Sequence, residues 1–172
     1  MSQIKKSRVK KWRVKNPGPI TKYVKELCFT LKIDTTNTSP QHGMLMNRFE
    51  EPDSRITSIN VSPICYYDPS FEDHIEYTKA ELKDMPGYTA DTMTFKNVWQ
   101  NMETNEITGS TTKTFKKKGG FSCWDVIQNI KKFEKLDRPK SKWFGGVDCH
   151  HVYYEGIHFN KDKETLGISW GS

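Results

Sequence analysis

Seven positive charges and no negative charge lie in the first 16 residues, so this segment is excluded from a packed core. The whole chain has 27 Lys and Arg against 21 Asp and Glu, which leaves 20 basic and 21 acidic residues after the segment. The breaker Asn16-Pro17-Gly18-Pro19 follows, and its prolines favour an extended backbone. We therefore predict a basic arm with a Pro/Gly hinge over residues 1–19 and a single folded domain over residues 20–172.

The composition of the chain favours a folded protein that lies inside a cell. Hydrophobic residues make up only 34%, but aromatic residues make up 12% and can supply core area, which excludes a wholly disordered chain. No apolar run approaches the ~20 residues of a membrane-spanning helix, and no apolar stretch follows the basic start as in a secretory signal. The cysteines Cys28, Cys65, Cys123 and Cys149 form no CxxC pair, which predicts reduced thiols in the cytoplasm or nucleus.

Hydrophobic spacing predicts strands and helices without regular alternation, and so an α+β fold with a mainly antiparallel sheet and two helices. In the first half, the pattern indicates a short helix from Thr21, a strand over residues 29–33 and a second strand around residues 56–61. Ser70 is then expected to cap a helix that ends at Pro86-Gly87. The expected apolar face of that helix contains Phe71, Ile75 and Leu82.

In the second half, residues 88–115 fit two patterns. The spacing of Phe95, Val98, Trp99 and Met102 fits a helix, but six threonines favour a hairpin that turns near Thr104-Asn105-Glu106. The next helix begins at Ser122, with Asp125 completing a capping box. Its apolar stripe is Trp124, Ile127, Ile130 and Phe133, and the basic residues that suit its C-terminal dipole are Lys131, Lys132, Lys135 and Arg138. A closing hairpin over residues 147–170 is expected to pack on this helix through Leu166, Ile168 and Trp170.

The arm is the strongest candidate for a binding site, since clustered cations bind phosphates with little regard to sequence. Nucleic acid and an anionic membrane both fit, because Trp12 can stack on a base or lie at a lipid interface. A solvated tail and a nuclear-localisation signal are the alternatives. The predicted anion-binding residues are Lys5, Lys6, Arg8, Lys10, Lys11, Trp12, Arg13 and Lys15.

The segment Asp148-Cys149-His150-His151 suggests a rival class of function, a small metal-dependent or thiol enzyme. On a strand, Asp148 and His150 would share one face, so each face would offer two of the four ligands that structural zinc needs. A thiolate at Cys149, or at Cys123 near a helix N-terminus, is the other possibility. Because no complete motif appears, we predict no catalytic residue, no metal and no cofactor.

Adjacent tyrosines such as Tyr153-Tyr154 would place one ring on each face of a sheet. Such a ring could either fill the core or stack on an RNA base.

Two features of the chain resemble viral matrix and related virion structural proteins. One is the lysine-rich arm joined by a Pro/Gly hinge to a body that begins with Phe29-Thr30-Leu31-Lys32-Ile33. The other is the closing hairpin from Glu155-Gly156-Ile157 to Leu166-Gly167-Ile168-Ser169-Trp170, which is also similar to the end of a fungal domain family of unknown function. The resemblance implies a non-enzymatic protein that binds an anionic surface and packs against copies of itself or other subunits, for example in a virion.

Overall fold

The computed structural model describes residues 18–36, 55–68, 73–101, 103–140, 142–143 and 146–172. The helices in these ranges are α1 (Lys22–Lys25), α2 (Lys79–Asp84) and α3 (Cys123–Asp137). The strands are β1 (Leu27–Cys28), β2 (Leu31–Thr35), β3 (Ile56–Val61), β4 (Cys65–Asp68), β5 (Asp73–Glu76), β6 (Pro86–Tyr88), β7 (Thr92–Gln100), β8 (Ile107–Lys116), β9 (Phe121–Ser122), β10 (Lys142–Trp143), β11 (Gly146–Val147), β12 (Tyr153–Phe159) and β13 (Leu166–Gly171). This is the predicted α+β class.

The largest described sheet has the strand order β12-β13-β7-β8. Its pairs are antiparallel except for β13 and β7, which run parallel where Leu166 lies opposite Phe95. The predicted hairpin at residues 88–115 is therefore confirmed as β7 and β8, with Asn105 in a left-handed turn conformation at φ 57°. The smaller described sheets are β1-β4-β5, β2-β3, β6-β9 and β10-β11.

The final helix, α3, begins where the sequence predicts. The Asp125 N–H donates to Ser122 Oγ at 3.2 Å, and the Ser122 N–H donates back to Asp125 Oδ2 at 2.9 Å. Ile127, Ile130 and Phe133 of the predicted stripe are buried, whereas Trp124 at the first turn is only half-buried. The helix therefore turns its apolar face to the core and leaves one indole at the surface.

Aromatic rings supply much of the core, as the composition predicts. The rings of Phe29 and Tyr154 stack with centroids 4.4 Å apart, and Trp170 meets both of them edge-on. Tyr153, the neighbour of Tyr154, is exposed, so the pair shows one ring on each face of β12. Since Tyr154 is in the core, at most one tyrosine of this pair is available for stacking on a ligand.

The predicted helix from Ser70 is wrong in its start. Residues 73–76 form β5, which pairs with β4, and α2 begins only at Lys79; Ser70 and Phe71 lie outside the described residues. Thr78 and Glu81 form a reciprocal capping box, in which the Thr78 N–H donates to Glu81 Oε2 at 2.8 Å. This box starts the helix eight residues later, because the intervening segment gains the hydrogen bonds of a strand pair.

The expected packing of α3 on the closing hairpin holds only in part. Leu166 of the hairpin is buried, and the indole N–H of Trp170 donates to Glu134 of the helix at 3.1 Å. However, β7 lies beside β13 in the sheet, and its Phe95 ring meets Phe133 at 5.5 Å. The helix therefore packs against β7 as well as the hairpin, and it also contacts β6, β9 and α2.

Within the described part of the chain, no helix has both the length and the apolar character that crossing a membrane requires.

Candidate functional site

The predicted anion-binding residues of the arm, from Lys5 to Lys15, lie outside the described residues, but the point where the chain joins the body is described. Thr89 N–H donates to the Pro19 carbonyl at 2.9 Å, and Thr21 N–H donates to the Gly87 carbonyl at 3.1 Å. Thr21 is itself buried, and its hydroxyl donates to the Pro86 carbonyl at 2.6 Å. Residues 19–21 are thus fixed along β6, and the arm is attached at this edge of the body.

A lysine-rich loop lies beside this attachment point. Gly120 of this loop has φ +84° and lies against the backbone of Tyr88, since a Cβ there would be 2.6 Å from the Tyr88 carbonyl oxygen. Pro19 is hydrogen-bonded to the next residue, Thr89, so the loop and the attachment point contact the same stretch of backbone. The Lys117 N–H donates to the Asp91 carbonyl at 2.8 Å and fixes the loop there. The side chains of Lys116, Lys117 and Lys118 are exposed. The sequence predicts only a connecting loop, and its proximity to the arm comes from the pairing of β6 with β9.

The segment from Asp148 to His151 forms a turn, so the expectation of alternating strand faces is wrong. Asp148 Oδ1 accepts the backbone N–H groups of His150 at 2.8 Å and His151 at 3.1 Å. Its Oδ2 lies 2.8 Å from Nδ1 of His151. Burial alone would raise the pKa of Asp148, but these hydrogen bonds outweigh it and lower the pKa. The aspartate closes a turn, because local hydrogen bonds outcompete the strand.

A buried ion pair holds this turn against the end of α3. Arg138 pairs with Glu134, and both side chains are 5% exposed. Two further guanidinium nitrogens donate to the carbonyls of Asp148 and His151 at 2.6 Å each. Burial raises the pKa of Glu134 in spite of the nearby Arg138. The sequence interpretation placed Arg138 with the helix-end lysines, although its four-residue spacing from Glu134 was a signal for this pair.

A groove of about 670 Å³ runs beside this network. Its wall combines Arg138 and the Asp148–His151 turn with His158 and Lys96 of the neighbouring strands. Among the described residues, no group of three or more His, Cys, Asp or Glu side chains is placed to hold a metal ion. In this wall the acidic oxygens of Asp148 serve the turn, so the described contacts assign them a structural role.

The thiol alternative at Cys123 meets a direct physical obstacle. Cys123 is fully buried at the start of α3, and burial raises the pKa of its thiol to about 12. The expectation that the helix dipole would lower this pKa is therefore wrong, because desolvation dominates. The four cysteines are free thiols, and Cys149 is half-buried.

Comparison with known proteins finds no match to this chain among protein-family models, curated proteins or solved structures.

Proposed function

We propose that this chain is a non-enzymatic structural or assembly protein whose basic N-terminal arm binds an anionic partner. The partner is nucleic acid, a ribonucleoprotein or an anionic membrane, and the body packs against copies or other subunits in a larger assembly such as a virion. The proposed place of action is the cytoplasm or nucleus. One observation carries the proposal: residues 1–16 hold seven cationic and no acidic side chains, whereas the rest of the chain is nearly neutral.

The physical basis is the release of counterions. Each phosphate neutralised by a lysine or arginine frees condensed cations, which gives strong, salt-sensitive binding with little sequence preference. At an anionic bilayer, each basic residue close to the surface contributes about 1 kcal/mol. The loop with Lys116, Lys117 and Lys118 lies beside the arm's attachment point and adds cations to the same region of the surface. A tether built in this way leaves the neutral body available for protein contacts.

The largest sheet supports the assembly half of the proposal. At one edge, the start of β12 is covered, because the Leu31 N–H donates to the Val152 carbonyl at 2.9 Å and the Tyr154 N–H donates to the Phe29 carbonyl at 3.0 Å. At the other edge, the ten-residue β8 pairs only with β7 within the described chain. An open edge of this length is a template for pairing with another strand, including one from a second copy.

Deleting residues 1–16 is expected to abolish most binding to a 20-nucleotide oligo-dT and to vesicles that contain phosphatidylserine. The body should still melt as the full chain does, because the anchoring hydrogen bonds of Pro19 and Thr21 lie beyond the cut. Fluorescence anisotropy and vesicle co-sedimentation measure the binding, and circular dichroism measures the melt.

Two full-length controls separate charge from arm length. An arm with all seven Lys and Arg changed to Gln should behave like the deletion, and an arm of scrambled order should bind like the natural one. A truncated protein that keeps the full affinity for both probes would overturn the proposed tether.

A further inference from the structure

The free edge of the largest sheet carries a regular row of main-chain groups. The Lys117 N–H donates to the Asp91 carbonyl at 2.8 Å, and this bond identifies the residues of β8 that are hydrogen-bonded to β7. Hydrogen-bonded and non-hydrogen-bonded pairs alternate along an antiparallel pair of strands. Ser110, Thr112 and Thr114 therefore point their N–H and C=O groups away from β7, and the residues between them point theirs toward it.

Two side-chain contacts agree with this assignment. The hydroxyl oxygens of Thr94 and Thr114 lie 3.0 Å apart, as suits a non-hydrogen-bonded pair, in which side chains are closer. The carbonyl of Lys96, opposite Thr112, accepts the side-chain amide of Asn160 at 3.1 Å, so it points away from β8. No strand in the described part of the chain pairs with the outward groups of β8. The edge thus offers donors and acceptors in the geometry that another strand requires.

This edge is complementary to itself under twofold symmetry. In an antiparallel pair of two copies centred on Thr112, each Thr112 lies opposite its counterpart and Ser110 lies opposite Thr114. All three outward residues then exchange hydrogen bonds with the second copy. A register centred on Lys113 would instead place two ammonium groups directly opposite each other, which is destabilising. The charges therefore select Thr112 as the centre.

The inner face of the edge fits the same register. Gly109 and Phe115 are equally far from Thr112 along the chain, so each glycine would lie opposite the phenylalanine of the second copy. The Trp99 ring lies over Gly109, because a Cβ there would be 2.6 Å from two of its ring carbons. Phe115 is half-buried, and its ring lies 6.2 Å from that of Phe95. An aromatic ring opposite a glycine on an edge strand is a stabilising arrangement, and here it would join two aromatic rows.

We infer that two copies of this chain pair through β8, antiparallel and centred on Thr112, so that their four-stranded sheets form one continuous sheet. The inference rests on the proposed function, in which the body packs against copies or other subunits, and it names a second copy as the partner. An unrelated strand would satisfy the same main-chain groups, but it need not place an aromatic ring opposite Gly109. A second copy does so at both ends of the pair.

The dimer carries two basic arms at opposite ends of the paired strands. Lys116 begins the lysine loop beside the arm's attachment point and would lie opposite Thr108 of the second copy. The two loops are then separated by eight residues of strand, or about 27 Å. A nucleic acid long enough to span them would engage both arms at once and bind more tightly than a short one.

Sedimentation velocity of the full chain tests the dimer. We expect a monomer–dimer equilibrium for the natural chain and a monomer for Thr112→Pro, because proline removes an outward N–H. The fold should survive, since proline is tolerated on an edge strand where the N–H faces solvent. Lys113→Pro is the matched control: its N–H belongs to the ladder with β7, so this variant should lower the melting temperature.

Cysteine cross-linking tests the register without a proline. The Cα atoms of a hydrogen-bonded pair lie about 5.5 Å apart, a separation that a disulfide bridges, so Thr112→Cys should link two copies on oxidation. Thr114→Cys alone should not link, because its counterpart would be four residues, or about 13 Å, away. A mixture of Ser110→Cys and Thr114→Cys should link. The natural chain, oxidised in parallel, gives the background from its own cysteines.

The outcomes separate this inference from the proposed arm. A natural chain that stays monomeric at its highest soluble concentration overturns the dimer, as does a dimer that Thr112→Pro leaves intact or that Thr112→Cys fails to link above background. The chain without residues 1–16 should dimerise as the full chain does, so loss of its oligo-dT binding concerns the arm alone. Thr112→Pro should bind a 20-nucleotide oligo-dT about 10-fold more weakly and keep its affinity for an oligo-dT too short to reach both arms. Unchanged binding of both probes would overturn the bivalent arrangement.

Discussion

Replacing Arg138 by alanine is expected to cost about 3–5 kcal/mol of unfolding free energy, because it leaves Glu134 as a buried charge without its partner. Both side chains are 5% exposed, so solvent cannot compensate. The same change removes the donors to the carbonyls of Asp148 and His151 and the guanidinium 5.2 Å from the Trp170 ring centroid. A loss of this size approaches the whole stability of a small domain. Urea denaturation of the two proteins measures it.

The pH dependence of this loss has a definite sign. Burial already raises the pKa of Glu134 above its ordinary value of 4.5, and removing Arg138 should raise it further. A folded-state pKa above the unfolded one favours folding below the unfolded pKa and loses that contribution as pH rises through the folded value. The deficit of Arg138→Ala should therefore be smaller near pH 4.5 than near neutral pH.

A double variant is the matched control for the buried pair. Arg138→Met combined with Glu134→Gln removes both charges, keeps an acceptor for Trp170 and should recover part of the lost stability. Arg138→Lys should still be less stable than the natural protein, because one ammonium cannot reproduce the fork of donors to two carbonyls. The buried ion pair would be contradicted if Arg138→Ala lost the same unfolding free energy at both pH values and the double variant lost as much as Arg138→Ala.

Phe133→Ala should cost about 3–5 kcal/mol, because it opens a cavity between α3 and the centre of the sheet. Phe133 is 2% exposed, and its ring centroid lies 5.5 Å from that of Phe95 on β7. Lys135→Ala on the exposed side of the same helix should change stability by less than about 0.5 kcal/mol. Chemical denaturation checks both values, and equal, small losses would mean that α3 is not docked on the sheet.

Local signals were enough to predict the elements that depend on a few neighbouring residues. The capping box of Ser122 and Asp125 fixes the start of α3, and the threonine-rich alternation around Phe95 indicates the β7–β8 hairpin. The false helix at Ser70 shows the limit of the same reasoning. The structure caps the helix at Thr78 instead, eight residues later, because the segment before it pairs as β5 with β4, and no local pattern reveals that pairing.

The contacts that build the candidate sites are mostly long-range. Arg138 matches the pattern of a solvent-exposed helix end, but the Asp148–His151 turn and the Trp170 ring bury it. The basic loop reaches the arm's attachment point through the pairing of β6 with β9 across more than 30 residues. The spacing of residues in the sequence cannot predict such proximity, whereas the charge difference between arm and body can be counted from the sequence alone.

The salt dependence of binding tests the central proposal most directly. The logarithm of the association constant for oligo-dT should fall linearly with the logarithm of salt concentration, and seven phosphate contacts from the arm would give a slope near −5 at about −0.7 per contact. Removing residues 1–16 should remove most of that slope and leave only the smaller salt dependence that lysines of the body contribute. A slope that is the same with and without the arm would contradict the proposal that this segment binds the anionic partner.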